Sequence, residues 1–111
     1  MAAKANIIIE QGTDFSSTIT VQDVDGTITD LTGYTSAAQI RKHYSSNTAI
    51  NFVTSFESPR SSGQITLTLS RIQTSNMESG RYVYDVELTN SANTRSRLVE
   101  GLVTITPEVT R

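Results

Sequence analysis

Residues 77–88, with the sequence MESGRYVYDVEL, decide the fold of this chain. After Gly80, apolar and polar side chains alternate, which is the two-residue period of a strand with one buried face. The side chains on the apolar side are Tyr82, Tyr84, Val86 and Leu88. A buried tyrosine two residues after a glycine-marked turn can hydrogen-bond to backbone groups upstream and lock a crossover between two sheets, the tyrosine corner of Greek-key sandwiches. We therefore predict that Gly80 and Tyr82 form such a corner.

Two segments before this stretch fit the same arrangement. Residues 64–70 (QITLTLS) show the most regular alternation in the chain, which predicts a central strand. Residues 71–76 predict one helical turn that begins after a Ser70 cap. The turn would carry the chain from one sheet to the other.

The stretch after Leu88 predicts a hairpin. A three-residue loop at 91–93 with Asn93 in the left-handed conformation would place Val86 opposite Leu98 and Glu87 opposite Arg97.

The last strand is expected to run to about Thr106, before Pro107 ends the pairing. The apolar face switches to Val103 and Ile105, so we place a β-bulge near residues 100–101.

The rest of the chain repeats this pattern of short strands and turns. Strands are predicted at residues 5–10, 15–22, 35–43 and 50–57, and turns or loops at 23–26, 31–34 and 58–63. About seven strands with almost no helix predict an all-β fold, an immunoglobulin-like antiparallel β-sandwich with Greek-key connections. A small barrel is the alternative. Residues 1–111 are expected to form a single domain.

Composition excludes several classes of function. The chain has no cysteine, so disulfides and thiolate metal sites are not available, and nothing indicates an oxidising compartment. Nine basic and eleven acidic residues give a formal charge of −2 with no basic cluster, which argues against nucleic-acid binding. The first residues contain only three consecutive large apolar side chains, too few for a signal peptide or a membrane span. We expect a soluble protein.

No catalytic or cofactor-binding residue is predicted. The chain has one histidine, no cysteine and no G-x-S-x-G motif, so nucleophilic catalysis lacks its usual groups, and His43 is expected to be solvated. Asp85 and Glu87 would lie about 7 Å apart on one strand face, a spacing compatible with glycosidase carboxylates. Because Arg95 and Arg97 lie across the predicted hairpin, solvated ion pairs are the better interpretation.

Two weaker site hypotheses come from the loops. Asp23, Asp25 and Asp30 are the only metal-like cluster, but they do not meet the EF-hand pattern, and an ordinary turn is favoured over calcium. A sugar platform would need exposed aromatic side chains. The alternation leaves only Tyr34 and Tyr44 for that role.

Several segments carry a resemblance to a known family. They are residues 9–42, which include DLTGY and QIRK, residues 63–70 (GQITLTLS), residues 79–89 (SGRYVYDVELT) and residues 97–111 (RLVEGLVTITPEVTR). These segments, covering nearly the whole chain, resemble the immunoglobulin-like domain at the N-terminus of tailed-phage baseplate upper proteins and of related virion proteins. Residues 49–57 match in pattern only.

The resemblance implies a non-enzymatic virion protein, located in the virion, whose partners are other phage virion proteins, present in many copies. We expect no cofactor and no nucleic-acid or membrane partner, and homo-oligomerisation stays open. We expect the chain to end with this domain, without the receptor-binding or trimerising segment of longer members. We therefore expect an adaptor or decoration module of capsid, tail or baseplate.

Attachment is predicted through strand edges and loops near the two termini. These strands carry more apolar residues than one buried face needs, although cover within the same domain is the competing explanation. The interface candidates are Ile7, Ile8, Ile9, Leu102, Val103 and Ile105. The alternatives from other classes are a carbohydrate- or host-surface-binding module and a calcium-stabilised adhesin-like domain.

Overall fold

The computed structural model describes residues 3–22 and 25–110, and this part of the chain forms nine strands in two sheets. The strands are β1 (Ala3–Lys4), β2 (Ile7–Glu10), β3 (Phe15–Thr20), β4 (Thr35–Arg41), β5 (Ile50–Asn51), β6 (Val53–Phe56), β7 (Gln64–Leu69), β8 (Gly80–Thr89) and β9 (Arg95–Thr106). β1 and β2 lie along the same edge of β9, and β5 and β6 are separated only by Phe52. β5 belongs to the larger sheet and β6 to the smaller sheet, so the single strand predicted at residues 50–57 is divided at Phe52, and the predicted count of about seven strands is too low.

The larger sheet has the order β1-β9-β8-β4-β5, with β2 also paired to β9. Its pairs are antiparallel except at the N-terminus, where β1 and β2 run parallel to β9, with Ile7 opposite Val103. The predicted all-β sandwich is confirmed, and its antiparallel pairing is wrong only at this edge. Alternation reports which face of a strand is buried and carries no information on the direction of a partner distant in sequence.

The smaller sheet has the order β3-β7-β6, so β7 is central, as predicted. β8 lies beside β4 and β3 beside β7, which are the non-sequential neighbours of a Greek key. Each sheet keeps open edges, so the fold is a sandwich and not a barrel. The core between the sheets consists of Ile9, Val21, Leu31, Ala38, Ile40, Phe52, Ile65, Leu67, Leu69, Met77, Tyr82, Tyr84, Val86, Leu88, Val99, Val103 and Ile105.

The crossover from the smaller to the larger sheet contains the predicted corner. A single helix turn, α1 (Arg71–Ser75), starts at Ser70, whose side chain accepts a hydrogen bond from the Gln73 N–H. The buried Tyr82 then donates its hydroxyl to the Glu78 carbonyl at 2.8 Å. The tyrosine corner at Gly80 and Tyr82 is thus confirmed.

The β8–β9 hairpin confirms the predicted loop and corrects the predicted bulge. Asn93 has φ 63°, and Glu87 lies opposite Arg97 as expected. However, Val86 lies opposite Val99, so the extra residue is Leu98 and the bulge is not near residues 100–101.

Gly101 has a different role from the predicted bulge. A Cβ at this position would collide with the Ala5 carbonyl oxygen, so the glycine lets the N-terminal segment approach β9 closely. In the described part of the chain, the one α-helix is far too short to span a bilayer.

Candidate interaction surface

The solvent-facing side of the larger sheet, here called the outer face, carries apolar, acidic and basic side chains next to one another. Side chains of β4, β8 and β9 alternate, so that one set enters the core and the other set points to solvent. The outward set is Ala37, Gln39 and Arg41 on β4, Arg81, Val83, Asp85 and Glu87 on β8, and Arg97, Glu100, Leu102 and Thr104 on β9.

One end of the outer face presents an apolar patch formed by Ile8, Val83 and Leu102. Val83 lies directly opposite Leu102 in the β8–β9 pair. Ile8 lies opposite Thr104 in the β2–β9 pair, one step further along the same face. Ile8 is 70 % exposed and Leu102 is 37 % exposed, so the patch is open to contact by another molecule.

Next to the patch lies a shallow concavity of about 300 Å³. Its outward-facing lining consists of Ala37, Gln39, Arg41, Tyr44, Val83, Asp85, Glu87, Arg97 and Glu100. The small side chain of Ala37 leaves the space, and the longer polar side chains surround it. A concavity of this kind can accept a projecting side chain or a small polar ligand.

Two arginines are held in fixed positions around the concavity. Arg41 donates to the Ser46 carbonyl at 2.7 Å and to Gln39 Oε1 at 3.0 Å. Arg97 forms ion pairs with Asp85 at 3.4 Å and Glu100 at 3.7 Å. These pairs are half-exposed and contribute little to stability, but they present both signs of charge in a defined arrangement.

The predicted ion pairing of Asp85 and Glu87 is only partly correct. Arg97 lies opposite Glu87, as predicted, yet its guanidinium group reaches diagonally to Asp85. Within residues 3–22 and 25–110, neither Glu87 nor Arg95 takes part in an ion pair.

The six predicted interface residues fall into three groups. Ile9, Val103 and Ile105 are wrong as surface contacts, because β2 and β9 pair with each other and direct these side chains into the core. Ile7 is partly buried against the same core. Ile8 and Leu102 are exposed and belong to the apolar patch.

The two tyrosines weighed as a sugar platform lie in different surroundings. Tyr44 is 77 % exposed and lines the concavity of the outer face. Tyr34 is partly buried against the core and lines a separate cleft on the other side of the larger sheet. The structure therefore does not bring them together as one aromatic surface.

The acidic turn residues are occupied by local hydrogen bonds. Asp25 accepts from the Thr27 N–H, and this bond lowers the pKa of the Asp25 carboxyl below its ordinary value. The Thr32 hydroxyl and N–H lower the pKa of Asp30 in the same way. Both residues therefore act in side-chain-stabilised turns. Asp23, the third member of the weighed calcium cluster, lies outside the described residues.

Elsewhere in the described part of the chain, no group of three metal-ligating side chains is present. His43 is exposed after the end of β4, in agreement with the prediction of a solvated histidine.

Sequence reasoning missed the neighbours of Val83 and Arg41 on the outer surface. Alternation predicts that Val83 points outward, but only the β8–β9 register shows that it adjoins Leu102. The pairing of Arg41 with Val83 across β4 and β8 could not be found either, because these strands are distant in sequence. Alternation was the only available signal, and it identifies faces without identifying neighbours.

The chain matches no family model and no curated protein. Among solved structures, it is similar to an internalin-like protein of Listeria monocytogenes, with a TM-score of 0.44 and 16 % sequence identity. The similarity covers 96 % of this chain, which spans 28 % of the length of that structure.

Proposed function

We propose that this chain is a non-enzymatic structural module of a tailed-phage virion, which attaches to neighbouring virion proteins through the outer face of its larger sheet. The apolar patch and the adjoining charged concavity are the observation that carries the proposal. The resemblance of residues 9–42 and 79–89 to phage immunoglobulin-like domains supplies the virion context.

The outer face has the composition of a protein contact surface. Ile8, Val83 and Leu102 supply an apolar centre, and the Arg97 ion pairs supply a charged border. Contact surfaces between proteins combine a small apolar core with a polar rim, and a modest area is multiplied by copy number in a repetitive particle. The strands of the smaller sheet have a Ser- and Thr-rich outer face, on which Val53 is the one large apolar side chain that is exposed.

Mass spectrometry of purified virions, separated heads and separated tails tests the proposal. We expect the chain in at least one fraction, in a copy number that matches the symmetry of the structure it decorates. Absence of the chain from every particle fraction would overturn the structural assignment.

A carbohydrate- or host-surface-binding module is the second candidate, and the exposed Tyr44 beside the concavity favours it. An aromatic ring next to paired polar side chains can stack on a sugar while those side chains hydrogen-bond its hydroxyls. Glycan-array binding that disappears in the Tyr44→Ala variant would support this function. Binding that is unchanged by Tyr44→Ala would exclude this site.

A further inference from the structure

The free edge of β3 is the feature that the proposed function does not use. β3 pairs only with β7, so one side of its backbone has no strand partner in the described part of the chain. In an antiparallel pair, every second residue directs its N–H and C=O groups to the partner strand. The Val21 N–H bonds to the Gly63 carbonyl, and this bond shows which residues of β3 face β7. Phe15, Ser17 and Ile19 therefore direct their backbone groups to β7.

The remaining residues of β3, Ser16, Thr18 and Thr20, direct their backbone groups away from β7. The pairing of β7 with β6 agrees with this assignment. The Glu57 N–H bonds to the Gln64 carbonyl, so every second residue of β7, starting at Gln64, directs its backbone groups to β6 and not to β3. Three N–H and three C=O groups of β3 thus face outward. This pattern specifies an extended backbone as the partner.

β3 also lacks the features that keep an edge strand unpaired. Its sequence FSSTIT contains no charged residue and no proline, and both are common protections of free edges. Its inward side chains Phe15 and Ile19 are only partly buried, and Ile19 borders an open cleft that also exposes parts of Ile7 and Leu98. The edge is therefore both unsatisfied in hydrogen bonding and incompletely covered.

We propose that the partner is a second copy of this chain, paired antiparallel through β3 about a twofold axis at Thr18. This register places Ser16 opposite Thr20 of the second copy, so all outward backbone groups of β3 are paired. Each of the three residues in each of two copies donates one N–H, which gives six hydrogen bonds in all.

The same register is compatible with the side chains. Phe15 would lie opposite Val21 of the second copy, and Ser17 opposite Ile19, on the inward face. No charged residue lies in β3, so no like charges meet along the strand. The two smaller sheets would become one six-stranded sheet, and each larger sheet would keep its outer face free. The inference does not depend on the proposed function, because it concerns the purified chain alone.

Sedimentation velocity over a concentration series tests the proposal. We expect a dimer of about 24 kDa, twice the 12.1 kDa of one chain, that dissociates on dilution. Thr18→Lys and Thr18→Glu should each raise the dimer dissociation constant by at least about tenfold, because like charges would face each other across the axis. Mixing the two variants should restore the dimer, since opposite charges then meet.

Ser55→Lys is the matched control, because Ser55 lies in the same row on the opposite edge strand β6. This variant should dimerise like the unmodified chain. Circular dichroism would verify that each variant is folded. A chain that stays monomeric at all concentrations would overturn the proposal. A dimer lost in Ser55→Lys but kept in Thr18→Lys, or no recovery in the mixture, would also overturn it.

Discussion

Two tyrosine hydroxyl groups in β8 fix two different crossings of the backbone. Tyr82 donates to the Glu78 carbonyl at 2.8 Å and closes the corner that leads into β8. Tyr84 donates to the Ala5 carbonyl at 2.7 Å and ties the N-terminal segment to the core. Both rings are buried, which removes their hydroxyl groups from water. In each case, the hydrogen bond to a backbone carbonyl replaces the lost bond to water.

Tyr82→Phe is expected to lower the free energy of unfolding by about 1 kcal/mol, because the Glu78 carbonyl loses its hydrogen-bond donor. Urea denaturation followed by circular dichroism measures the change. Tyr44→Phe is the matched control, since Tyr44 is exposed, and it should change the free energy by less than about 0.5 kcal/mol. Equal effects of the two variants would contradict the role of the corner.

Alkaline pH should destabilise the fold through the same residues. Burial raises the pKa of both Tyr82 and Tyr84 above the ordinary value of 10.0, and at Tyr82 the Glu78 carboxylate adds to the effect. The folded state therefore holds these protons more strongly than the unfolded state. The stability that these two phenols contribute is fully present below pH 10.0. It is lost as the pH rises through their raised pKa values in the folded state.

Thermal melts between pH 8 and pH 11 would show this loss of stability. The double variant Tyr82→Phe and Tyr84→Phe, which has neither phenol, should lose less stability over the same range. An identical pH dependence of both proteins would contradict the assignment to these two residues.

Gly101→Ala is expected to destabilise the fold by about 2 kcal/mol and to displace the N-terminal segment. The added Cβ would collide with the Ala5 carbonyl, which is backbone and cannot move aside alone. Hydrogen exchange should show faster exchange of the Ala5 N–H, which bonds to the Glu100 carbonyl. Thr104→Ala, also on β9, should leave that exchange unchanged. Protection of Ala5 in the Gly101→Ala variant would show that the close approach is not required.

Among the strands and turns, those with local signals could be predicted from the sequence. Alternation identified β7 and the buried face of β8, and a serine before a polar turn identified the Ser70 cap. Asn93 marked the left-handed loop residue. These features are set by residues close together in the sequence, so they can be predicted from it.

Features that depend on distant contacts could not be predicted. The parallel pairing of β2 with β9 joins the two ends of the chain, and no turn between them sets its direction. The bulge at Leu98 was misplaced because the switch of the apolar face to Val103 and Ile105 does not show at which residue the register shifts. Gly101, at the predicted position, instead accommodates the Ala5 backbone. A glycine in a strand predicts a special position without saying which kind.

The helix turn between the sheets provides a prediction about a single element. Ser70→Ala should lower the free energy of unfolding by about 1 kcal/mol, because the Gln73 N–H loses the Ser70 hydroxyl as its acceptor. Ser70→Asn should retain most of the stability, since its side chain can accept the same bond. It adds no charge beside Asp14, whose carboxylate accepts a hydrogen bond from the neighbouring Arg71 N–H. Chemical denaturation measures both variants. Equal losses in the two variants would contradict a capping role.

At the scale of the whole molecule, the two sheets present different surfaces for interaction. The larger sheet presents the apolar patch and charged concavity, and the smaller sheet presents the free edge of β3. The sequence indicated Ile8 and Leu102 as surface contacts but could not combine them with Val83. Only the assembled sheet brings these three side chains onto one surface.

Attachment through the outer face is tested by the number of chains bound per particle, measured by quantitative mass spectrometry. Leu102→Glu should lower this number by at least about tenfold without changing the melting temperature, because the charge lies within the apolar patch. Val53→Glu, at a 60 % exposed position on the smaller sheet, should bind like the unmodified chain. Undiminished binding of the Leu102→Glu variant would contradict attachment through the outer face.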